Sequence, residues 1–425
     1  MPLEKVHLFE FDGLKIDGHS QATRKEGDER QEGSAGGTTG VDMCGIGIFV
    51  RAAPRVWPLR MLKGRTVAVV VPCYNEESQI GFVVETMPDF VDRIVIVNDH
   101  SPDRTAEVVK ELIAKDRAKG LGKRMVPVKV ERTRWNEAEI VLEEESEREM
   151  AHYVASQVVN EQPETDRIIL INNLKNGGVG AGIARGYKWC KDHAIDCTAV
   201  MAGDGQMDPG ELESICLPVI DEGIDYVKGN RLIHRSAWLV IPRVRFFGNS
   251  ILSILTKLAS GYWRVSDTQT GYTAIRLRAL QAIKLHKIYR SYGMPNDMLV
   301  KLNIAQCTLR EVEIKPIYRV GEQSKMKVFK VIPRVSRLLI KSFFIRLWRK
   351  YLFKDFHPLF IFYNYAFFAG LVTIPYAYKI IKAFIVGEHV NMEPLIAFLF
   401  LATSSFQALI FAMWMDMQDN ERLYK

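Results

Sequence analysis

Ala199-Val200-Met201-Ala202-Gly203-Asp204-Gly205-Gln206-Met207-Asp208-Pro209 runs from apolar residues into oxygen-bearing side chains at positions 204, 206 and 208. A buried strand that ends on alternate oxygen donors suits a hard divalent cation, because Mg2+ and Mn2+ prefer carboxylate and amide oxygens. Such a cation binds a nucleotide diphosphate through its phosphates. The plain alternative is a polar turn closing a strand, with Pro209 and Gly210 as punctuation. The rest of the chain has to decide.

Working outward, the same pattern recurs. Thr66 to Val71 is an apolar, mostly β-branched run that ends in Pro72-Cys73-Tyr74-Asn75-Glu76-Glu77. A helix is expected from about Ser78 to Met87. Arg93 to Val97 ends in Asn98-Asp99-His100-Ser101-Pro102-Asp103, and a helix follows from near Thr105. Val126 to Val130 reads as a third strand. Arg167 to Ile171 reads as a fourth, ending in Asn172-Asn173-Leu174-Lys175-Asn176-Gly177-Gly178-Val179-Gly180, with a helix to about Lys191. Continuous apolar runs bounded by turn residues suggest strands buried on both faces of a parallel sheet. Strand–helix alternation over residues 65–210 predicts a doubly wound α/β sheet, whose ligands sit beyond the carboxyl ends of the strands. Every polar motif quoted lies at such an end. Residues 131–166 are acidic and helical in propensity, which reads as a solvated insertion.

Composition sets the outer bounds. The chain has 425 residues, is 48% hydrophobic and carries a net charge of +7. Its basic residues concentrate between Arg310 and Lys354 with no RNA-recognition or zinc-finger signature, which favours a membrane surface over nucleic acid. Cysteines 44, 73, 190, 197, 216 and 307 form no Cys-x-x-Cys pair and read as reduced thiols. Residues 1–60 are expected to be disordered, since Gly13 to Gly40 is rich in Gly, Ser, Thr, Glu and Arg and lacks apolar periodicity. They show no signal-peptide pattern. Met43-Cys44-Gly45-Ile46 imitates the start of an amidotransferase, but that chemistry needs a free N-terminal cysteine.

A dehydrogenase is the first rival, because Gly177-Gly178-Val179-Gly180-Ala181-Gly182 follows a strand and opens a helix. The Gly-x-Gly-x-x-Gly spacing fails, since the sixth position is Ile183 or Arg185. The motifs together instead resemble glycosyltransferase family 2 with a GT-A fold, over about Arg65 to Lys327. Val71-Pro72-Cys73-Tyr74-Asn75-Glu76 resembles the family's Pro-x-Tyr-Asn-Glu, and Asn98-Asp99-His100-Ser101-Pro102-Asp103-Arg104-Thr105 its Asp-Asp-Gly-Ser-x-Asp-x-Thr. Asn176 to Gly182, with Gly186-Tyr187, resembles Asn-x-Gly-x-Gly-x-Ala, and Asp204 to Asp208 stands at Asp-x-Asp. The resemblance implies that Pro72, Tyr74, Glu76 and Asp99 contact the nucleoside, with Asp99 near the base and Glu76 near the ribose. It also implies that the helix after Gly180 closes over the sugar nucleotide. Asp204, Gln206 and Asp208 would hold Mg2+ or Mn2+. Here the chain departs from the Asp-x-Asp-x-Gln of polyprenol-phosphate members, since the last two residues are exchanged.

Further on, Tyr226 to Asn230 reads as a strand, and an amphipathic helix runs from Pro242 through Leu258. Asp267, in Ser266-Asp267-Thr268-Gln269-Thr270-Gly271-Tyr272, and Asp297 match the family's acceptor loop and late acid. Asp297 also reads as a helix N-cap before Met298 to Ile304. Ile314 to Lys325 resembles the Arg-x-x-Gly-Glu-Ser-Lys stretch of polyprenol-phosphate sugar synthases. Arg231, Arg243 or Arg245, Arg319, Ser324 and Lys325 would then gather phosphate oxygens, with Asp204, Asp297, Arg231 and Lys325 closest to the chemistry.

The expected organisation is a GT-A domain over 61–325, basic amphipathic membrane-surface helices over 326–357 and a transmembrane hairpin over 358–416. Pro375 and Lys379 raise the prospect of a kink in the first span. Basic residues before the first span place the catalytic domain on the cytoplasmic face of an integral membrane protein. The resemblance implies transfer of a sugar, inverting at the anomeric carbon, from a UDP- or GDP-linked donor to polyprenyl (dolichyl or undecaprenyl) phosphate. The spans leave homo-oligomer formation open, and no nucleic acid is expected. A processive polysaccharide synthase fits less well, because no Gln-x-x-Arg-Trp follows the acceptor region. A non-catalytic nucleotide-sugar-binding protein fits less well with Asp99, Asp204 and Lys325 all in order.

Overall fold

The computed structural model describes residues 62–120, 122–241, 243–317 and 328–425. Residues 1–60 and the expectation of disorder there lie outside them. The strands are β1 (Val67–Cys73), β2 (Arg93–Asn98), β3 (Ser156–Val158), β4 (Ile168–Asn173), β5 (Cys197–Val200), β6 (Tyr226–Asn230), β7 (Thr273–Arg276) and β8 (Leu309–Glu313). The helices are α1 (Ile80–Glu85), α2 (Thr105–Lys119), α3 (Glu137–Arg148), α4 (Val179–Asp192), α5 (Leu212–Asp221) and α6 (Ala237–Val240). They continue with α7 (Arg243–Ser260), α8 (Leu277–Ala282), α9 (Met294–Ile304), α10 (Val328–Trp348), α11 (Pro358–Val386) and α12 (Met392–Glu421).

One mixed α/β sheet runs in the order β3-β4-β2-β1-β5-β7-β6-β8. Its centre, β4-β2-β1-β5, is parallel, as the apolar runs predict. Val67 to Val71 are fully buried, and successive residues enter different cores: Val70 packs in one and Val69 in the other. Burial on both faces explains why the run does not alternate. The edges differ from a purely parallel sheet, since β3 pairs antiparallel to β4 and β7 runs antiparallel between β5 and β6.

Val126 to Val130 forms no strand, which corrects the expectation. Pro127 removes a ladder donor, and Val126 and Val128 are exposed. Single backbone bonds, Met125 N–H to Glu164 O and Val128 N–H to Asp192 O, hold the segment instead. The polar β3 takes the sheet edge. The acidic α3 has no buried residue.

α11 and α12 are long and apolar enough to cross a membrane. They pack along each other through small residues, with the Ser405 hydroxyl donating to Ala366 O at 2.8 Å. Their outer faces present Phe368, Leu371, Phe384, Ile385 and Phe400, a surface that lipid covers better than water does. α11 continues through Pro375. After α12 the chain returns to the sheet. Leu309 N–H donates to Leu423 O at 2.7 Å and Lys425 N–H to Leu309 O at 3.0 Å, so the tail pairs with β8.

α10 and the turn that follows it are basic, but two of the expected surface cations, Arg346 on α10 and Lys350 just after it, are not on the surface. Arg346 and Lys350 are each 1% exposed, because Asp416 and Asp419 at the end of α12 neutralise them.

Gly186 shows how tightly α4 lies on the sheet, since a Cβ there would stand 2.4 Å from Val70 Cγ1. Overpacking of this kind costs about 1–3 kcal/mol. Gly186→Ala is therefore expected to lower the thermal midpoint, and adding Val70→Ala to recover part of the loss. Equal midpoints for wild type and Gly186→Ala would refute the packing assignment.

Candidate active site

The carboxyl ends of β1, β2, β4 and β5 bring the quoted motifs to one edge of the sheet. Asn75 and His100 both adopt the left-handed conformation, at φ of 58° and 59°. They turn the β1 and β2 loops toward each other. Asn75 N–H donates to Ser101 Oγ at 3.1 Å and Glu76 N–H to Thr105 Oγ1 at 3.1 Å. Glu77 N–H donates to Asp103 Oδ2 at 3.2 Å, and Arg104 N–H returns a bond to Glu77 Oε2 at 2.9 Å. The Ser, Asp and Thr of the second motif are thus a clasp on the first.

Asp99 ties β2 to the glycine turn. Its Oδ1 accepts from Asn173 Nδ2 at 2.7 Å and Gly177 N–H at 2.8 Å, and its Oδ2 from Gly178 N–H at 2.7 Å. The carboxylate is buried. The glycines behind it serve close approach of backbone rather than a dinucleotide. A Cβ on Gly178 would stand 2.4 Å from Arg290 O, and one on Gly180 would stand 2.0 Å from Tyr289 O. Gly180 N–H itself donates to Arg290 O at 3.0 Å. From Gly180 to Cys190 α4 is buried, and its first turn lies beside Pro72, where a Cβ on Gly182 would stand 3.5 Å from Pro72 Cβ.

Glu76 approaches the Gly203–Asp204 turn where the ends of β1 and β5 lie side by side. A Cβ on Gly203 would lie 2.7 Å from Cys73 Sγ and 3.7 Å from Glu76 Cγ. Burial pushes the Cys73 thiol up, and the carboxylates of Glu76, Asp204 and Asp103 push it further. Pro72 is half-buried and Tyr74 exposed beside them. Asp204 Oδ1 accepts from Gln206 N–H at 3.0 Å, shaping the turn through Gly205 at φ 72°.

Asp208 is turned to other work. Its Oδ1 accepts from Gly210 N–H at 2.8 Å, capping the short turn Pro209–Glu211, and its Oδ2 faces Lys315 Nζ at 3.4 Å. Lys315 is a cation the motif reading passed over, although it stands in the quoted Ile314-Lys315-Pro316. The carboxylates of Asp204 and Glu76 both act on Cys73 at this edge, and oxygen donors of this kind suit Mg2+ or Mn2+, although no cluster of three or more His, Cys, Asp or Glu side chains gathers among the described residues.

The acceptor-loop residues form a second cluster. Arg231 grips Asp267 with two bonds, Nε to Oδ2 at 2.8 Å and Nη2 to Oδ1 at 3.1 Å. Both were expected to meet phosphate or acceptor, and the structure bonds them to each other. Burial works to raise the Asp267 carboxyl, but Arg231 and then Lys228 outweigh it and hold it below the ordinary carboxylate range. Glu311 accepts the N–H groups of Ser266 and Asp267 at 3.1 and 3.0 Å. Lys228 is fully buried beneath the loop and donates to Thr270 O. Burial pulls its ammonium down to about 8, although Asp267 and Glu311 oppose the shift.

Asp297 is not the N-cap of α9, because that helix begins three residues earlier, at Met294. Its Oδ2 accepts from Tyr289 N–H at 2.8 Å and pairs with Lys301. The side chains of Arg243 and Arg245, and the whole of Arg319, Ser324 and Lys325, lie outside the described residues.

Two outcomes follow from these contacts. Asp99→Asn turns an acceptor into a donor against the Gly177 and Gly178 N–H groups, and leaving such buried donors unmet costs about 1–3 kcal/mol. Chemical denaturation should show that loss, and an unchanged midpoint would remove Asp99 from its anchoring role. An unfolded lysine titrates near about 10.4, so between about 8 and that value the unfolded chain binds more protons and stability rises with pH. Lys228→Met is expected to flatten this rise between about pH 8 and 9.5. An identical slope in the variant would contradict the burial of a charged Lys228.

Comparison with known proteins bears on this edge directly. A family model described as Glycosyl transferase family 2 matches residues 68–138 and 130–284. A UDP-N-acetylglucosamine–dolichyl-phosphate N-acetylglucosaminyltransferase of Methanococcus voltae is 26% identical over 255 residues, covering 60% of this chain and 86% of that protein. An uncharacterized protein of Methanocaldococcus jannaschii is 24% identical over 253 residues, covering 59% of this chain and 82% of its own. The crystal structure of glucosyl-3-phosphoglycerate synthase from Mycobacterium tuberculosis with Mn2+, UDP and product aligns at a TM-score of 0.41 and 15% identity, over 67% of this chain and 80% of that one. The family match spans all the strand-end motifs and about half of the chain: the protein is a glycosyltransferase of family 2.

Proposed function

We propose that the protein transfers a sugar from a nucleotide-diphosphate donor to a polyprenyl phosphate held in a membrane. The observation that carries this reading is the apolar hairpin of α11 and α12, whose far end is built into the same globular unit as the strand-end site. A transferase fixed in this way reaches an acceptor that lives in the bilayer. The Methanococcus voltae relative, whose name gives a dolichyl-phosphate acceptor and a UDP-N-acetylglucosamine donor, points the same way. The basic stretch ahead of α11 supports a cytoplasmic placement of the site.

The chemistry asks little of a general base, because the acceptor phosphate is already anionic at neutral pH. Its oxygen forms the new bond to the anomeric carbon as the bond to the donor's diphosphate breaks, in line and with inversion. Positioning and charge neutralisation therefore dominate. Pro72, Tyr74 and Glu76 would line the nucleoside side, and Asp99 would hold the glycine turn beside it. Asp204, with Glu76 near it and Gln206 or Asp208 in support, would hold Mg2+ or Mn2+, which when bound neutralises charge on the departing diphosphate. Arg319 and Lys325 would meet phosphate oxygens. In this arrangement Asp267 and Arg231 shape the acceptor loop together.

The test is transfer itself. Membranes carrying the full chain are incubated with labelled UDP- and GDP-sugars, polyprenyl phosphate and Mn2+ or Mg2+. A chloroform-soluble labelled lipid is expected from one donor, and Asp204→Asn should reduce it by about 100-fold or more. A labelled polymer would replace this reading with a synthase, and no incorporation from any donor would overturn it.

A further inference from the structure

The end of α12 does more than close a hairpin. Arg346 on α10 forms a two-bond pair with Asp416, Nη1 to Oδ1 and Nη2 to Oδ2, each 2.7 Å long. The same guanidinium donates to Ala259 O and Leu258 O at the end of α7, both at 3.0 Å. One turn further along α12, Asn420 Oδ1 accepts from Lys350 Nζ at 2.6 Å and from Asn303 Nδ2, at the end of α9, at 2.7 Å. Gly261 makes room, since a Cβ there would stand 2.5 Å from Arg346 Nη1 and 3.0 Å from Asn420 Nδ2.

Side chains in the C-terminal half of α7 and at the start of α9 hold the acceptor loop. Ser253 on α7 bonds Thr268 at 3.0 Å, and Thr256 donates to Asn296 Oδ1 at 3.2 Å. Asn296 on α9 accepts from Gln269 Nε2 at 2.9 Å. Asn296 and Asn303 are seven residues apart on one helix, a rigid span of about 10 Å. Two helices therefore connect the loop at Ser266–Thr270 with the last turns of the apolar hairpin, α9 by side-chain bonds near both of its ends and α7 through its last turns, from Ser253 to Ala259.

We infer that Asp416 and Asn420 are positioning residues for the membrane-held acceptor, acting through α7 and α9 on the Ser266–Thr270 loop. The inference rests on the proposed acceptor class. A buried pair of this kind is a poor source of net stability compared with apolar packing, but it fixes geometry. A displacement of about 1 Å in a substrate-positioning element lowers rates by about 100-fold. An acceptor whose chain is anchored in the same bilayer as the hairpin feels any change of angle or height between hairpin and loop. An acceptor free in water adjusts to it.

The experiment uses the full chain in lipid nanodiscs and two acceptors, a long-chain polyprenyl phosphate in the bilayer and a short, water-soluble isoprenyl phosphate. Asp416→Asn and Asn303→Ala are compared with wild type and with the conservative Asp416→Glu. The expected result is a KM for the long-chain acceptor raised at least tenfold in both variants. Donor KM and kcat/KM for the soluble acceptor should stay within twofold, and Asp416→Glu should restore part of the loss. Asn303→Ala leaves the Arg346–Asp416 pair in place, so it decides the matter if Asp416→Asn fails to fold. Parallel loss with both acceptors and the donor would reduce these residues to general scaffolding and overturn the inference, as would no change in Asn303→Ala. A wild-type chain that uses neither acceptor would instead sink the proposed acceptor class.

Discussion

The bond set of Asp99 is the constraint on which the strand-end site depends. Its carboxylate accepts from the Asn173 side chain and from the backbone of Gly177 and Gly178. That fixes β2 against the turn leading from β4 into α4. The clasp of Ser101, Asp103 and Thr105 on the β1 loop follows from the same segment. With these ends locked, Pro72 to Glu76 and Gly203 to Gln206 are left facing one place, and the Cys73–Gly203 seam lets them approach. A charged acceptor bonded to backbone N–H groups is among the stronger hydrogen-bond arrangements. It also needs no long side chain to be ordered.

The second half of the molecule is held by paired charges rather than by backbone. Arg231 and Asp267 fix one end of the acceptor loop, and Glu311 holds its N–H groups. Arg346 with Asp416, and Lys350 with Asp419, close the apolar hairpin onto the globular unit. Each pair has at least one fully buried partner and its counter-charge present, the condition under which such charges are tolerated. The hairpin is thus continuous with the catalytic architecture and not hung from it by a linker.

Much of the parallel core was legible because strands buried on both faces leave unbroken apolar runs, as Val67 to Val71 and Ile168 to Ile171 do. The motifs at their ends were legible as a group, and so was the family. The edges were not. Leu309 to Glu313 mixes charges with apolar residues, and the polar Ser156–Val158 outcompetes Val126–Val130, where Pro127 breaks the ladder. Side-chain partners were the least legible part. Arg231 and Asp267 stand 36 residues apart, and Arg346 and Asp416 stand 70 apart. No local pattern links them, so Arg231 reads as a lone charge for phosphate, Arg346 as part of a basic membrane-surface stretch and Asp267 as an acid of the acceptor loop. The ion pair of Asp208 with Lys315 was not legible for a similar reason, since the two stand 107 residues apart.

The central claim is that the edge formed by Pro72–Glu76, Asp99 and Asp204 is a nucleotide-diphosphate site. Calorimetric titration of the full chain in nanodiscs with UDP and GDP, each with and without Mn2+, tests it without any assumption about sugar or acceptor. Saturable binding of one nucleotide, strengthened by Mn2+ and lost in Glu76→Gln/Asp204→Asn, is the predicted result. Absence of binding by either nucleotide under every condition, from protein that remains folded, would contradict the account.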